Sequence, residues 1–128
     1  MEPDVRTSVR ELNGERTALL EEMLAVGVTM PGSLFERWRV CGRPGCRCAR
    51  GEKHGPYLCL SVFREGRPRV FPVARAKADA AREAVAAYRR WRAGMQRLKQ
   101  MDAQILDLLE QVRQAEEMAP TEVVRTRS

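Results

Sequence analysis

Three of the four cysteines and the only histidine of this 128-residue chain fall inside fourteen residues, Cys41-x4-Cys46-x-Cys48-x5-His54. The residues between them include three glycines and one proline and no large apolar side chain. Such a segment cannot form a core of its own, so something other than hydrophobic burial must hold it. Three thiolates and an imidazole are the donor set of a closed tetrahedral zinc site, which has a structural rather than a catalytic character because no coordination position stays open. The reading therefore places zinc on Cys41, Cys46, Cys48 and His54. The Cys46-x-Cys48 pair is tighter than the usual two-residue spacing. Cys59 is the one other candidate ligand, and its mid-strand position suits a small buried hydrophobe better. The plain alternative is four reduced cysteines without metal, and the donor set would also accept other thiophilic ions.

The environment of the chain is read from what surrounds this segment. Met1-Glu2-Pro3-Asp4 is acidic with no apolar run behind it, which does not resemble a secretory leader. No stretch approaches the eighteen or so apolar residues of a membrane span. These features predict a cytoplasmic protein with no membrane partner, where clustered cysteines are metal ligands rather than disulfides.

Charge is segregated along the chain. Residues 34–100 carry seventeen basic and five acidic side chains, whereas residues 1–33 and 101–128 each carry three basic and six acidic. A middle of +12 between two ends of −3 predicts a polyanion-binding face. Arg37, Arg39, Arg43, Arg47, Arg50 and Lys53 surround the cysteine-rich segment. Arg64, Arg67 and Arg69 follow it, and Arg89 and Arg90 lie further on. Arginine suits bidentate phosphate contact. Nucleic acid, DNA before RNA, is the expected partner. Ordinary solubilising charge in an arginine-rich sequence is the competing explanation.

The expected fold class is α+β, in four segments. Residues 1–32 contain a helix over 6–26, with Leu12, Leu19, Leu20, Met23 and Leu24 at helical spacing. Residues 33–74 hold a short strand at 34–40, the zinc knuckle, a Gly55-Pro56 turn and a β-hairpin. The hairpin runs from Tyr57 to Phe63 and back from Arg69 to Val73, with Gly66 in its turn. Pro72 marks the returning strand as an edge or as ending there. Residues 75–118 read as one helix of about 65 Å. Residues 119–128 read as a disordered tail.

The long helix carries an apolar seam through Tyr88, Trp91, Met95, Leu98, Ile105, Leu109 and Val112, interrupted only by Asp102. A helix over residues 6–26 is long enough to cover about half of it. The excess predicts a homodimer or docking to a protein partner, with Asp102 pairing with an arginine or setting the register. The alternative is an antiparallel pair within one chain. Catalysis is not expected: one histidine already committed as a ligand, no partnered serine and no phosphate-cradling glycine loop leave no machinery for it.

The run Cys41-Gly42-Arg43-Pro44-Gly45-Cys46-Arg47-Cys48-Ala49-Arg50, followed by His54-Gly55-Pro56-Tyr57-Leu58, resembles an uncharacterised family of small bacterial and archaeal proteins. Its members share a CGxxxCxCA…HGPY core, a following hairpin, and a helix with a Tyr-Arg-Arg-aromatic-Arg run, here Tyr88-Arg89-Arg90-Trp91-Arg92. The resemblance covers roughly residues 33–110. It implies metal binding at Cys41, Cys46, Cys48 and His54, and an association with transposases and other mobile-element genes. In similar sequences the position of Cys59 is more often aromatic. The expected function is that of a non-enzymatic, zinc-stabilised DNA-binding accessory protein of a mobile element. The alternatives are an adaptor that docks a transposase or another protein through its long helix, and a redox or metal sensor using Cys46 and Cys48.

Overall fold

A computed structural model describes residues 4–126. The order of elements is helix α1 (Val5–Leu24), strand β1 (Ser33–Arg39), strand β2 (His54–Arg64), strand β3 (Arg67–Pro72) and helix α2 (Ala78–Ala115). Short 3₁₀ turns occupy Arg47–Arg50, Arg75–Lys77 and Pro120–Glu122. This is an α+β arrangement with a three-stranded antiparallel sheet and a cysteine-rich knuckle. Of the segments expected from sequence, residues 1–3 of the first and residues 127 and 128 of the tail lie outside the described residues. The tail that remains opens with the 3₁₀ turn, whose Ala119 N–H donates to Glu122 Oε2 at 2.6 Å.

The chain divides into two compact units, residues 26–92 and residues 1–25 with 93–128. Helix α2 contributes its first fifteen residues to one and the remainder to the other.

In the unit of residues 26–92 the strand order is β1-β2-β3. Leu34 lies opposite Leu60, which lies opposite Phe71, so alternation along each strand sets one apolar row across the sheet. Arg64 pairs with Arg67 across a two-residue turn in which Glu65 and Gly66 have φ of 53° and 76°. Both positive values match the right-handed twist of the strands, and Gly66 adopts its value without a Cβ penalty. Pro68 and Pro72 are tolerated because β3 is an edge, and β3 ends at Pro72. The buried apolar side chains here are Cys59 and Val62 on β2 and Val85 and Ala87 on α2, with Cys48 buried in the knuckle. The Met30 N–H donates to the Ala84 carbonyl at 2.9 Å, fixing the start of this unit against its helical part.

In the other unit α1 and residues 93–115 of α2 pair antiparallel. Arg6 meets Glu116 at 3.3 Å, Arg16 meets Asp102 at 2.7 Å and Arg97 meets Glu15 at 3.6 Å. Gly94 lies against Met23, whose Cγ and Sδ would stand 3.0 Å from a Cβ at that position. The covered stripe on α2 runs through Gly94, Leu98, Met101, Ile105, Leu108 and Val112, in alternating steps of four and three that keep one face of the helix. Gly94 and Met101 are its buried members, Met101 at 3% exposed.

Candidate metal centre and basic face

The four predicted ligands sit where β1 turns into β2. Arg39 pairs with His54 beyond an irregularity that follows Arg37, so the knuckle is the loop of a β1–β2 hairpin. Strand β2 thus begins at His54, three residues before the expected Tyr57, because this pairing already includes the segment Gly55-Pro56. His54 is held by the ladder and Cys41 leaves the end of β1. Between them successive turns are closed by the Cys46 N–H on the Arg43 carbonyl, the Ala49 N–H on the Cys46 carbonyl and the Gly51 N–H on the Cys48 carbonyl. Cys46 and Cys48 flank the start of the 3₁₀ turn and are thereby brought back toward β1.

One ligand atom from each of Cys41, Cys46, Cys48 and His54 lies within 4.8 Å of the other three. Cys41 Sγ is 3.4 Å from Cys48 Sγ, and Cys46 Sγ is 3.2 Å from His54 Nε2. A tetrahedral ion with metal–sulfur bonds of about 2.3 Å places its sulfurs about 3.8 Å apart, so this donor set fits such an ion with shifts of a few tenths of an ångström at these two pairs. Exposure graduates from Cys41 at the surface through Cys46 and His54 to Cys48 in the interior. Cys59 lies outside the cluster: it is buried on β2, and its Sγ points to the Tyr57 carbonyl at 3.8 Å.

The local electrostatics favour a thiolate at Cys48. The Cys41 N–H donates to its Sγ at 3.3 Å. That hydrogen bond, with further ones from the Cys41 and Cys46 side chains and the charge of His54, outweighs desolvation and brings the thiol down to about 7. At Cys41 an amide hydrogen bond from Arg43 lowers the value, but the Cys48 side chain, desolvation and Cys46 together leave it raised.

Gly55 shapes the approach to His54. Its φ is 139°, and a Cβ there would lie 2.8 Å from the Arg37 carbonyl oxygen and 3.1 Å from the Trp38 ring. Only a residue without a side chain lets β2 pass this close to β1.

All eleven predicted basic contacts belong to the unit of residues 26–92 and all are exposed. That unit has fifteen basic and five acidic side chains, a net +10, whereas the other has a net −4. Arg47 meets Glu52 at 3.9 Å, Arg69 meets Glu65 at 3.8 Å and Arg90 meets Glu83 at 2.8 Å. Arg37, Arg39, Arg43, Arg50, Lys53, Arg64, Arg67 and Arg89 have no carboxylate partner among the described residues. Arg75 was not among the predicted contacts, yet with Arg39 and Arg82 it lines a cleft beside Cys41 and His54.

The predicted seam is divided. Met95, Leu98, Ile105 and Val112 are partly covered in the helical pair, and Asp102 finds its arginine in Arg16. Tyr88 stacks beside Trp91 with ring centroids 6.1 Å apart, and Trp91 remains 36% exposed. Leu109 is 47% exposed, its place in the covered stripe taken by Leu108.

Among the described residues no helix is long and apolar enough to cross a membrane. Residues 9–70, just under half of the chain, match a family model described as a domain of unknown function, DUF6788. The match includes all four candidate ligands and β1, β2 and most of β3. No curated protein and no solved structure matches the chain.

Proposed function

We propose that this is a zinc-stabilised, non-enzymatic DNA-binding accessory protein of a mobile element, whose arginines on the knuckle and hairpin contact phosphates. The observation that carries the reading is the concentration of charge. One unit holds a net +10, with eight of its eleven candidate cations free of carboxylate partners among the described residues. Cations left unpaired on one unit are available to displace the counterions of a polyanion. Zinc, when bound by Cys41, Cys46, Cys48 and His54, supplies a four-coordinate cross-link and no open position for chemistry. Its consequence is mechanical: it fixes the spacing of Arg43, Arg47 and Arg50 on a loop that has no apolar core of its own. The mobile-element part of the reading rests on what the family resemblance of the Cys41–Leu58 run implies, an association with transposase genes.

The test is charge reversal. Arg43→Glu, Arg47→Glu and Arg67→Glu together should reduce DNA affinity at least about tenfold and lower the slope of log affinity against log salt by about three. Unchanged affinity would overturn the reading.

A second reading, a protein adaptor or homodimer acting through α2, is supported by Leu106 at 67% and Leu109 at 47% exposed. Because neither is buried, Leu106→Glu with Leu109→Glu should fold normally, and loss of self-association or of transposase capture in that variant would identify α2 as the docking element.

A further inference from the structure

Beside the metal centre, within the unit of residues 26–92, lies a cleft of about 1030 Å³. Its walls include Arg39, Tyr57, Arg75, Asp79 and Arg82, with Cys41 and His54 at one side. The volume is at the upper end of what small-ligand sites require. Three arginines and one carboxylate line the cleft, and that carboxylate, Asp79, lies 3.6 Å from Arg82. Three thiolates, a neutral imidazole and a divalent ion would add one negative charge at the neighbouring wall, and the cleft would still be positive.

The cleft also offers a ring. Tyr57 is 47% exposed, and the Arg39 guanidinium stands 6.0 Å from the centre of its ring. Tyr57 lies directly opposite Arg37 in the β1–β2 register, and the Arg37 guanidinium lies 5.7 Å from the Phe35 ring. Phe35, Arg37 and Tyr57 thus share one sheet face, and beyond the irregularity after Arg37 the Arg39 guanidinium and the Tyr57 ring lie together in the cleft. A stacked duplex offers phosphates to such a surface and cannot use its rings. An unpaired strand can, because its bases are free to stack on an aromatic ring or a guanidinium plane while its phosphates meet cations.

We propose that the cleft receives a single-stranded segment of nucleic acid, one base stacking on Tyr57 and the adjoining phosphates held by Arg39, Arg75 and Arg82. The inference rests on the nucleic-acid reading above and narrows it from any polyanionic chain to an unpaired one. Zinc, if bound by Cys41 and His54, would then also steady the part of the cleft lining that includes Arg39.

The experiment is fluorescence anisotropy of the zinc-loaded full chain with a labelled oligonucleotide of about twelve nucleotides, presented single-stranded and as the duplex of the same sequence. The single strand should bind at least about tenfold more tightly. Tyr57→Ala should remove that preference by weakening single-strand binding about tenfold, Tyr57→Phe should restore it, and Arg75→Glu should weaken it as well. Thermal unfolding of each variant separates a lost contact from a lost fold. Duplex bound as tightly as single strand, or a single-strand preference that survives Tyr57→Ala, overturns this inference while leaving nucleic-acid binding in place. Failure to bind either form at about 50 mM salt overturns both.

Discussion

The backbone N–H of Cys41 donates to the sulfur of Cys48 at 3.3 Å, across the turn that the knuckle makes between β1 and β2. This contact joins the most exposed candidate ligand to the most buried one and does so before any metal is considered. It aims the interior sulfur at the other three donors and stabilises its ionised form.

Metal affinity should therefore depend on pH. Cys48 is brought down from 9.0 to about 7, so its thiolate form contributes stability above pH 9.0 that is lost as the pH falls through about 7. Cys41 is raised and keeps its proton to higher pH. Metal binding must displace whatever protons remain, so affinity rises with pH. Between about pH 8 and about pH 6 it should fall at least about a hundredfold, measured by competition with a chromophoric chelator. A flat profile would mean that thiolates are not the ligands.

Ligand identity separates cleanly by mutation. Cys46→Ser or His54→Ala should lose stoichiometric metal, and the knuckle should lose protection from proteolysis. Cys59→Ala should keep one equivalent of metal and cost about 1 kcal/mol of stability, as removal of a small buried group does. Metal content after gel filtration distinguishes these outcomes. Loss of metal from Cys59→Ala would place that residue in the ligand set.

Gly55→Ala tests the approach of β2 to β1. The added methyl would meet the Arg37 carbonyl at 2.8 Å in a backbone conformation that L residues avoid. The expected cost is about 2 kcal/mol or more, together with weaker metal binding because His54 is the adjacent residue. Wild-type melting with wild-type metal affinity would contradict the strand pairing at Arg39 and His54.

In the helical pair, Asp102 and Met101 should differ sharply. The Arg16–Asp102 contact is short, but its side chains are 34% and 44% exposed, so Asp102→Ala should cost no more than about 1 kcal/mol. Met101→Ala, at a position 3% exposed, should cost about 2–4 kcal/mol. Urea unfolding of the two variants checks the ranking, and the reverse order would mean that the ion pair, not the apolar stripe, holds the helices.

The clustering of Cys41, Cys46, Cys48 and His54 was legible because the four residues are close in sequence. The hairpin was legible at Arg64–Arg67 because Glu65-Gly66 is a short polar turn between alternating segments. The pairing of β1 with β2 was less so, since it closes over the whole knuckle and no local pattern announces the register of Arg39 with His54. The seam of α2 was read with steps of three and four that favour Leu109 over Leu108, as in a supercoiled dimer. The covered stripe keeps the same alternation and shares Leu98, Ile105 and Val112, but packing on α1 takes Met101 and Leu108, each one residue before the seam's Asp102 and Leu109. The cleft could not be read at all, because Arg39, Tyr57, Arg75 and Arg82 meet only once the sheet and the start of α2 are in place.

The most direct test of the function is the salt dependence of DNA binding by the zinc-loaded protein, measured by fluorescence anisotropy at about 50 and about 200 mM salt. Binding that is sub-micromolar at the lower concentration and about a hundredfold or more weaker at the higher is the expected result, because several phosphates are neutralised together. Binding that does not respond to salt, or no binding at about 50 mM, would contradict a phosphate-contacting role for the arginines of the knuckle and hairpin.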